Sequence, residues 1–194
     1  MKKRLFIITL ITLISISASA QLFELTNQGF VDVHNKENNY VIVPFEGKSQ
    51  QEIFNLALEA IGKSFVSPDD RFSKVEYSQI NLNGIYPNAT VINRMGLKLN
   101  FNMHYNIIFQ FKDGKMRING PIINKIVRDV PFGGQQQFFL TTKERGGAIS
   151  GDKALFTPDG KVYEKKHKAN IENAGNALVD NILKIMKSTS NSDW

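Results

Sequence analysis

The 194-residue sequence contains no cysteine. Without cysteine the chain forms no disulfide, no thiolate metal site and no lipid-modified cysteine. Its stability must therefore come from a hydrophobic core, and a chain of this length can bury one as a single domain.

The sequence also has little excess charge once its first 20 residues are set aside. It contains 24 Lys and Arg against 18 Asp and Glu, and residues 1–20 hold three bases and no acid. The 21 bases and 18 acids that remain leave a net charge of +3, which is weak for a protein that binds nucleic acid. We therefore expect no nucleic-acid partner.

Only one segment is strongly apolar, Leu5 to Ile16, and it is shorter than the roughly 20 residues of a membrane-spanning helix. Lys2-Lys3-Arg4 precedes this segment, and Ala18-Ser19-Ala20 follows it. The pattern predicts a signal peptide over residues 1–20, cleaved after Ala20, with an N-terminal anchor helix as the alternative. We expect an exported protein, periplasmic or extracellular, with no integral membrane segment after cleavage.

The usual motifs of catalysis and metal binding are missing. His34, His104 and His167 follow no metal-ligand spacing, and no Gly-x-Ser-x-Gly motif is present. The glycine-rich segment 146–153 has Asp152 where a phosphate-binding loop needs its lysine. The sequence therefore predicts no catalytic residue, no metal site and no cofactor. The alternative is a hydrolase whose site is assembled from dispersed carboxylates, Asp69, Asp70, Asp129 and Asp152.

The most informative stretch runs from Met95 to Phe111. Every odd position in it is apolar, and every even position except Ile108 is polar or glycine. A period of two is typical of a strand with one face on a core and the other in water. At about 3.4 Å per residue the stretch would extend nearly 60 Å, longer than the roughly 40 Å diameter expected for the whole protein. It must therefore bend, bulge or break near Asn100 or Asn102, and we expect a curved sheet.

A hairpin follows at Asp113-Gly114, a dipeptide that favours a two-residue type I′ turn. The turn and the alternation together predict the pairs Lys112–Lys115, Phe111–Met116, Phe109–Ile118 and Tyr105–Ile122. Because Pro121 cannot donate a backbone hydrogen bond, we expect the return strand to end at a sheet edge.

Elements on either side complete the predicted domain. A strand is expected over 40–45 and another over 73–82, and a capping box at Ser49 and Glu52 starts a first helix with an apolar side from Ile53 to Phe65. A second amphipathic helix is expected from Ala169 to Lys187. We interpret 21–38 as an extended lead-in, 39–188 as a single α+β domain with a glycine-rich loop at about 127–152, and 189–194 as a polar tail.

The chain resembles exported bacterial domains of unknown function with a TATA-binding-protein-like fold. The residues that carry this resemblance are Gly29-Phe30, the segments 39–43, 53–61 and 80–84, and the hairpin 111–118. The resemblance implies an α+β fold, a curved antiparallel sheet with two helices packed on one face. It implies no activity, since the matching residues belong to turns and to the core.

One candidate binding site remains, the polar face of the sheet. It presents Lys98, Asn100, Asn102, His104, Asn106, Gln110, Arg117 and Asn119. Amides supply paired donors and acceptors that suit sugar hydroxyls or a peptide backbone. The alternative is an ordinary hydrated sheet face. We expect a non-catalytic binding or accessory protein whose partner is a glycan, a peptide or a cell-envelope protein, and the sequence leaves the oligomeric state open.

Overall fold

The computed structural model describes residues 21–64, 71–131, 134–141 and 152–190. The predicted signal peptide, Phe65, the carboxylates Asp69 and Asp70, the segment 142–151 and residues 191–194 lie outside the described residues.

Two helices and ten strands form in the described part of the chain. In order they are β1 (Phe23–Thr26), β2 (Gly29–Asp32), β3 (Tyr40–Pro44), α1 (Gln50–Ser64), β4 (Arg71–Val75), β5 (Gln79–Arg94), β6 (Leu97–Lys112), β7 (Lys115–Asn119), β8 (Ile122–Asp129), β9 (Gln135–Thr141), β10 (Lys153–Phe156) and α2 (Lys165–Ser190). The predicted α+β class is confirmed.

A large sheet contains β3 to β10. Its main strand order is β10-β9-β8-β6-β5-β4, and β7 pairs with both β6 and β3. All pairs are antiparallel except β9 with β10. The long strands β5 and β6 form its centre, and a separate two-stranded sheet consists of β1 and β2.

From Phe101 onward, the odd-numbered side chains of β6 point to the core and the even-numbered ones point away from it, as predicted. The odd-numbered side chains Phe101, Met103, Tyr105, Ile107, Phe109 and Phe111 are all at most 3% exposed. The prediction is wrong at Met95 and Leu97, which are 93% and 66% exposed. Met95 and Gly96 form the turn between β5 and β6, so the apolar period begins before the buried part of the strand.

The Asp-Gly hairpin turn differs from expectation in its backbone geometry. The pairs Lys112–Lys115, Phe111–Met116 and Phe109–Ile118 are confirmed. Only Gly114 of the Asp-Gly pair has a positive φ, 73°, so this turn is not type I′. Met95 and Gly96 have φ values of 49° and 78°, which is the type I′ signature.

The expected Tyr105–Ile122 pair and the edge position of Pro121 are both wrong. Tyr105 lies opposite Ile123, because the register shifts by one residue where the chain passes from β7 to β8. The Gly120 amide donates to the Asn39 carbonyl (2.8 Å) rather than to β6. Pro121 therefore interrupts the interior of the sheet: β7 lies between β3 and β6, and β8 lies between β6 and β9.

A bulge in β5 accommodates the length of the central strands. Tyr86 pairs with Met103 and Thr90 with Phe101, so the three residues 87–89 lie opposite Asn102 alone. Extra residues of this kind bend their strand. The irregularity is thus in the partner strand, and β6 continues unbroken through Asn100 and Asn102.

The predicted strand over 73–82 is two strands. β4 ends at Val75, residues 76–78 turn with Tyr77 at a φ of 57°, and β5 begins at Gln79. Val75, at the end of β4, is 61% exposed.

Both helices pack on the core face of the sheet, as expected. The capping box of α1 is confirmed, since the Ser49 amide donates to Glu52 Oε2 (2.7 Å) and the Glu52 amide to Ser49 Oγ (3.3 Å). Phe54 of α1 meets Phe111 of β6 edge to face at 5.3 Å between ring centroids. α2 begins at Lys165, four residues before the predicted start.

The expected extended lead-in at 21–38 is a hairpin that belongs to the core. Phe23, Leu25 and Phe30 are buried in the main hydrophobic cluster. Asn176 Oδ1 accepts from the amides of Leu22 (3.1 Å) and Phe23 (2.9 Å). This segment therefore folds with α2, which its polar, Asn-rich sequence did not indicate.

The expected glycine-rich loop at about 127–152 is wrong where the structure describes it. Residues 127–129 complete β8, and 135–141 form β9, which pairs antiparallel with β8 and parallel with β10. After β10, Phe156 and Val162 form a single antiparallel bridge.

Candidate binding face of the sheet

The eight residues predicted as a site all lie on the sheet face away from the helices, here called the open face. The even-numbered side chains of β6 point to it, and Arg117 of β7 joins them because it pairs directly with Gln110. Lys98, Asn100 and Gln110 are exposed, and Asn102, His104, Asn106, Arg117 and Asn119 are half-buried.

Amide side chains on this face bond to one another across strands. Asn106 Nδ2 donates to Asn83 Oδ1 (2.9 Å) and also to Asn81 Oδ1. Gln110 Nε2 donates to Gln79 Oε1 (3.3 Å). The partners Gln79, Asn81 and Asn83 alternate along β5, and this period-two pattern is a signal in the sequence for further amides on the open face. These amides are held in fixed orientations.

Asn102 has a structural contact at the bulge. Its Oδ1 accepts from the Asn88 amide (3.0 Å), and Asn88 has a φ of 54°. This side chain thus holds an irregular segment of β5 against β6, which explains an amide at this position without any ligand.

His104 lies half-buried in the middle of the open face. Burial, together with the positive charge of Lys125, lowers the pKa of His104, and the Asp129 carboxylate opposes this shift. Lys125 lies directly opposite His104 in β8. Since an unperturbed histidine has a pKa near 6.5, the ring is neutral at pH 7.

A cavity of about 390 Å³ opens on this face where β3, β6 and β7 meet. It is lined by Tyr40, Ile42, Ser78, Gln110, Phe111, Lys112, Lys115 and Arg117. Its volume falls within the range of about 300–1,000 Å³ typical of small-molecule sites.

The cavity brings together only two of the predicted residues, Gln110 and Arg117. Lys98 and Asn100 lie at the opposite end of β6, in the part paired with 91–93 of β5. Tyr40, Lys112 and Lys115 were missed, although the hairpin register predicted from the sequence already placed both lysines beside each other.

Two contacts hold the Arg117 side chain in the cavity. Its guanidinium carbon lies 3.7 Å from the centroid of the Tyr40 ring, a cation–π contact. Its Nε donates to Asn119 Oδ1 (3.1 Å). The ring and the amide together fix the guanidinium against the sheet.

The carboxylates of the hydrolase alternative have structural contacts where they are described. Asp129 Oδ1 accepts from Gln135 Nε2 (3.0 Å), and Asp152, which is buried, accepts from the Gln137 amide (2.9 Å). Among the described residues no group of three or more His, Asp or Glu is placed to hold a metal ion.

A buried polar cluster joins the bulge to the first turn of α2. Thr90 Oγ1 and His167 Nδ1 are 2.7 Å apart, and Glu164 Oε2 lies 4.0 Å from His167 Nε2. Burial lowers the pKa of His167, Glu164 opposes that shift, and Lys153 and Lys166 add to it. Thr90 is only 1% exposed, and its Oγ1 also accepts from Asn170 Nδ2 (3.3 Å), so the cluster ties β5 to α2.

Within the described ranges, neither α1 nor α2 has the length and apolar character needed to cross a membrane.

Comparison with known proteins supports the fold. Residues 40–122 match the sequence profile of a family described as "Domain of unknown function (DUF4468) with TBP-like fold". No curated protein matches the chain.

Two solved bacterial structures are similar. One is a TBP-like protein from Parabacteroides distasonis ATCC 8503, 16% identical, with a TM-score of 0.47 over 79% of this chain and 92% of that one. The other is a DUF4468 family protein from Bacteroides ovatus ATCC 8483, 13% identical, with a TM-score of 0.49 over 79% of this chain and 85% of that one. The resemblance to a domain of unknown function with a TBP-like fold is confirmed over residues 40–122.

Proposed function

We propose that this protein is an exported, non-catalytic binding protein that takes a glycan or a peptide on its open sheet face, at the cavity between β3, β6 and β7 and not at the far end of β6. The observation that carries the proposal is the cavity at Tyr40, Gln110 and Arg117, a concave site whose volume suits a small ligand. Fold alone does not assign an activity, so the argument rests on this site.

The surroundings of the cavity support binding. Cross-strand amide pairs extend away from it along β5 and β6, and they present oriented donors and acceptors next to the site. Oriented amides pair with hydroxyl or peptide groups without a large ordering cost. The described carboxylates Asp129 and Asp152 accept hydrogen bonds from Gln135 and Gln137 of the protein itself. These structural contacts favour binding over hydrolysis.

Export is part of this proposal and rests on the basic start, short apolar segment and Ala-x-Ala end of residues 1–20. Expression of the full-length chain in a bacterium tests it. Mass spectrometry of the periplasmic fraction is expected to find a protein that begins at Gln21, and an intact N-terminus in the cytoplasm would contradict export.

Screening residues 21–194 on glycan and peptide arrays tests binding. We expect hits that weaken when Gln110→Ala removes the amide in the cavity. The matched control is Asn100→Ala, an exposed amide on the same strand outside the cavity. Silence on both arrays would refute the proposed function.

A further inference from the structure

We propose that the cavity on the open face is a binding site for a carboxylate-bearing saccharide, with Arg117 as the residue that takes the carboxylate. This inference rests on the proposed function and names the ligand class of the same site.

The charge of the lining is the first argument. Lys112, Lys115 and Arg117 line one cavity of about 390 Å³, and no described lining residue is acidic. None of the three forms a salt bridge with a residue that the structure describes. A concentration of positive charge without internal compensation attracts an anionic ligand.

The position of the two lysines adds to this argument. Lys112 and Lys115 are directly opposite each other across the β6–β7 hairpin. Like charges in such a cross-strand pair destabilise a sheet, and an anion bound between them would remove the repulsion. The sequence therefore carries an unfavourable pair at the place where a ligand would offset it.

The acidic residue nearest in sequence to the two lysines, Asp113, forms its hydrogen bond with α1 instead of with the lysines. Asp113 stands between the two lysines in the chain, but its Oδ1 accepts from the Gln50 amide (2.8 Å) in the first turn of α1. A carboxylate at this end of a helix is stabilised by the unpaired amides there. Asp113 thus anchors the hairpin to α1 and does not line the cavity.

The geometry of Arg117 favours a carboxylate. Its guanidinium lies on the Tyr40 ring, and its Nε donates to Asn119. Both contacts fix the guanidinium and leave the terminal nitrogens to form two parallel hydrogen bonds with a planar anion. Because this arrangement exists before binding, little conformational entropy is lost when the carboxylate arrives.

The remaining lining favours a saccharide as the bearer of that carboxylate. Gln110 provides an amide and Ser78 a hydroxyl, which pair with sugar hydroxyls. Ile42 is 51% exposed and offers an apolar surface to the C–H face of a pyranose ring. Cation, amide, hydroxyl and apolar patch together match a uronic acid.

Titration calorimetry with residues 21–194 tests the inference. The probes are trimers of galacturonate and of mannuronate, each beside its neutral methyl ester, with inorganic phosphate and triglutamate as further anions. We expect a uronate trimer to bind and its methyl ester to bind at least about tenfold more weakly, the effect of one lost charge-assisted contact. Failure of both uronate trimers to bind, or equal affinity for acid and ester, would overturn the inference.

Variants locate the site. Arg117→Gln is expected to weaken uronate binding by about tenfold or more, and Lys112→Gln with Lys115→Gln by a similar factor. Lys98→Gln removes an equal charge from the far end of β6 and is expected to leave affinity unchanged. Circular dichroism checks that each variant is folded.

The outcomes separate this inference from the proposed function. Array hits on neutral ligands that Arg117→Gln leaves intact would keep the proposed function and refute the carboxylate site. Phosphate or triglutamate binding as tightly as the uronates would refute the saccharide as the ligand class. Loss of affinity in Lys98→Gln equal to that in Arg117→Gln would show a general charge effect and refute the site.

Discussion

Gly175 of α2 lies directly against the ring of Phe30 in β2. A Cβ added to Gly175 would lie 2.3 Å from Phe30 Cζ, and one added to Gly120 would lie 2.8 Å from Phe30 Cβ. Phe30 is therefore held between a helix, which meets its ring, and the residue after β7, which meets its Cβ, at two positions that have room only for glycine. This contact is one of those that fasten the N-terminal hairpin to the rest of the core.

The contact predicts that Gly175→Ala destabilises the protein. Alanine favours a helix over glycine by about 1 kcal/mol, but overpacking costs about 1–3 kcal/mol, and we expect a net loss of about 1 kcal/mol. Urea denaturation measures it. The control is Gly62→Ala in α1, where an added Cβ meets nothing within 4 Å, and it is expected to stabilise by about 0.5–1 kcal/mol. Equal stabilisation by both changes would contradict the packing argument.

Hydrogen bonds from Asn176 of α2 also hold the N-terminal hairpin, so we expect the stability of the protein to depend on this side chain. Its Oδ1 accepts from Leu22 and Phe23, and its Nδ2 donates to the Phe23 carbonyl (2.8 Å). Asn176→Ala leaves these partly buried backbone groups without that partner, so we expect a loss of about 2 kcal/mol. Hydrogen exchange at the Leu22 and Phe23 amides is expected to accelerate. Asn181→Ala, at an exposed position of the same helix, is expected to change stability by less than about 0.5 kcal/mol.

The two faces of β6 predict opposite sensitivities to truncation. Phe109 is fully buried, and Phe109→Ala is expected to cost about 3–5 kcal/mol. Asn100 is exposed on the other face, and Asn100→Ala is expected to stay within about 0.5 kcal/mol. Thermal denaturation of the two variants compares them. A small effect at Phe109 would contradict the assignment of the faces.

Asn102 is expected to behave differently from Asn100 although both are polar residues on the open face. Asn102→Ala removes the acceptor of the Asn88 amide in the bulge, at a cost of about 1 kcal/mol. Chemical denaturation measures the difference between the two variants. An effect at Asn102 no larger than that at Asn100 would show that the bulge does not depend on this side chain.

His167 predicts a dependence of stability on pH. Burial lowers its pKa in the folded state, with Lys153 and Lys166 adding to the effect and Glu164 opposing it. The unfolded chain, with a histidine pKa near 6.5, therefore binds a proton that the folded protein does not. Its contribution to stability is present above pH 6.5 and is lost as the pH falls toward the folded pKa.

Urea denaturation between pH 7.5 and pH 5 is the measurement, and His167→Gln is expected to flatten the profile. His104 also has a lowered pKa, so His104→Gln is needed as the parallel variant. A His167→Gln profile as steep as that of the unchanged protein would contradict the account.

Local sequence signals predicted the elements whose partners lie nearby in the chain. The capping box at Ser49 and Glu52 depends on four consecutive residues, and the Lys112–Lys115 pair depends on one turn. The shift from Tyr105–Ile122 to Tyr105–Ile123 depends instead on Gly120, which precedes Pro121. The Gly120 amide donates to the Asn39 carbonyl rather than to β6, and Gly120 packs against Phe30. A contact so far away in the sequence has no local signature.

The candidate site was predicted only in part for the same reason. The alternation identified the open face, and six of its eight predicted residues are even positions of one strand. Tyr40 reaches Arg117 through the β3–β7 pairing, which joins residues far apart in the chain.

The sequence by itself determined the α+β class, the buried odd face of β6 from Phe101 to Phe111, and the hairpin at 112–115, because period and turn chemistry act over a few residues. Only the tertiary structure decided that residues 21–32 belong to the core and that Lys112, Lys115, Arg117 and Tyr40 meet in one cavity. Those relations depend on packing between distant segments, where the available space and charge are set by the whole fold.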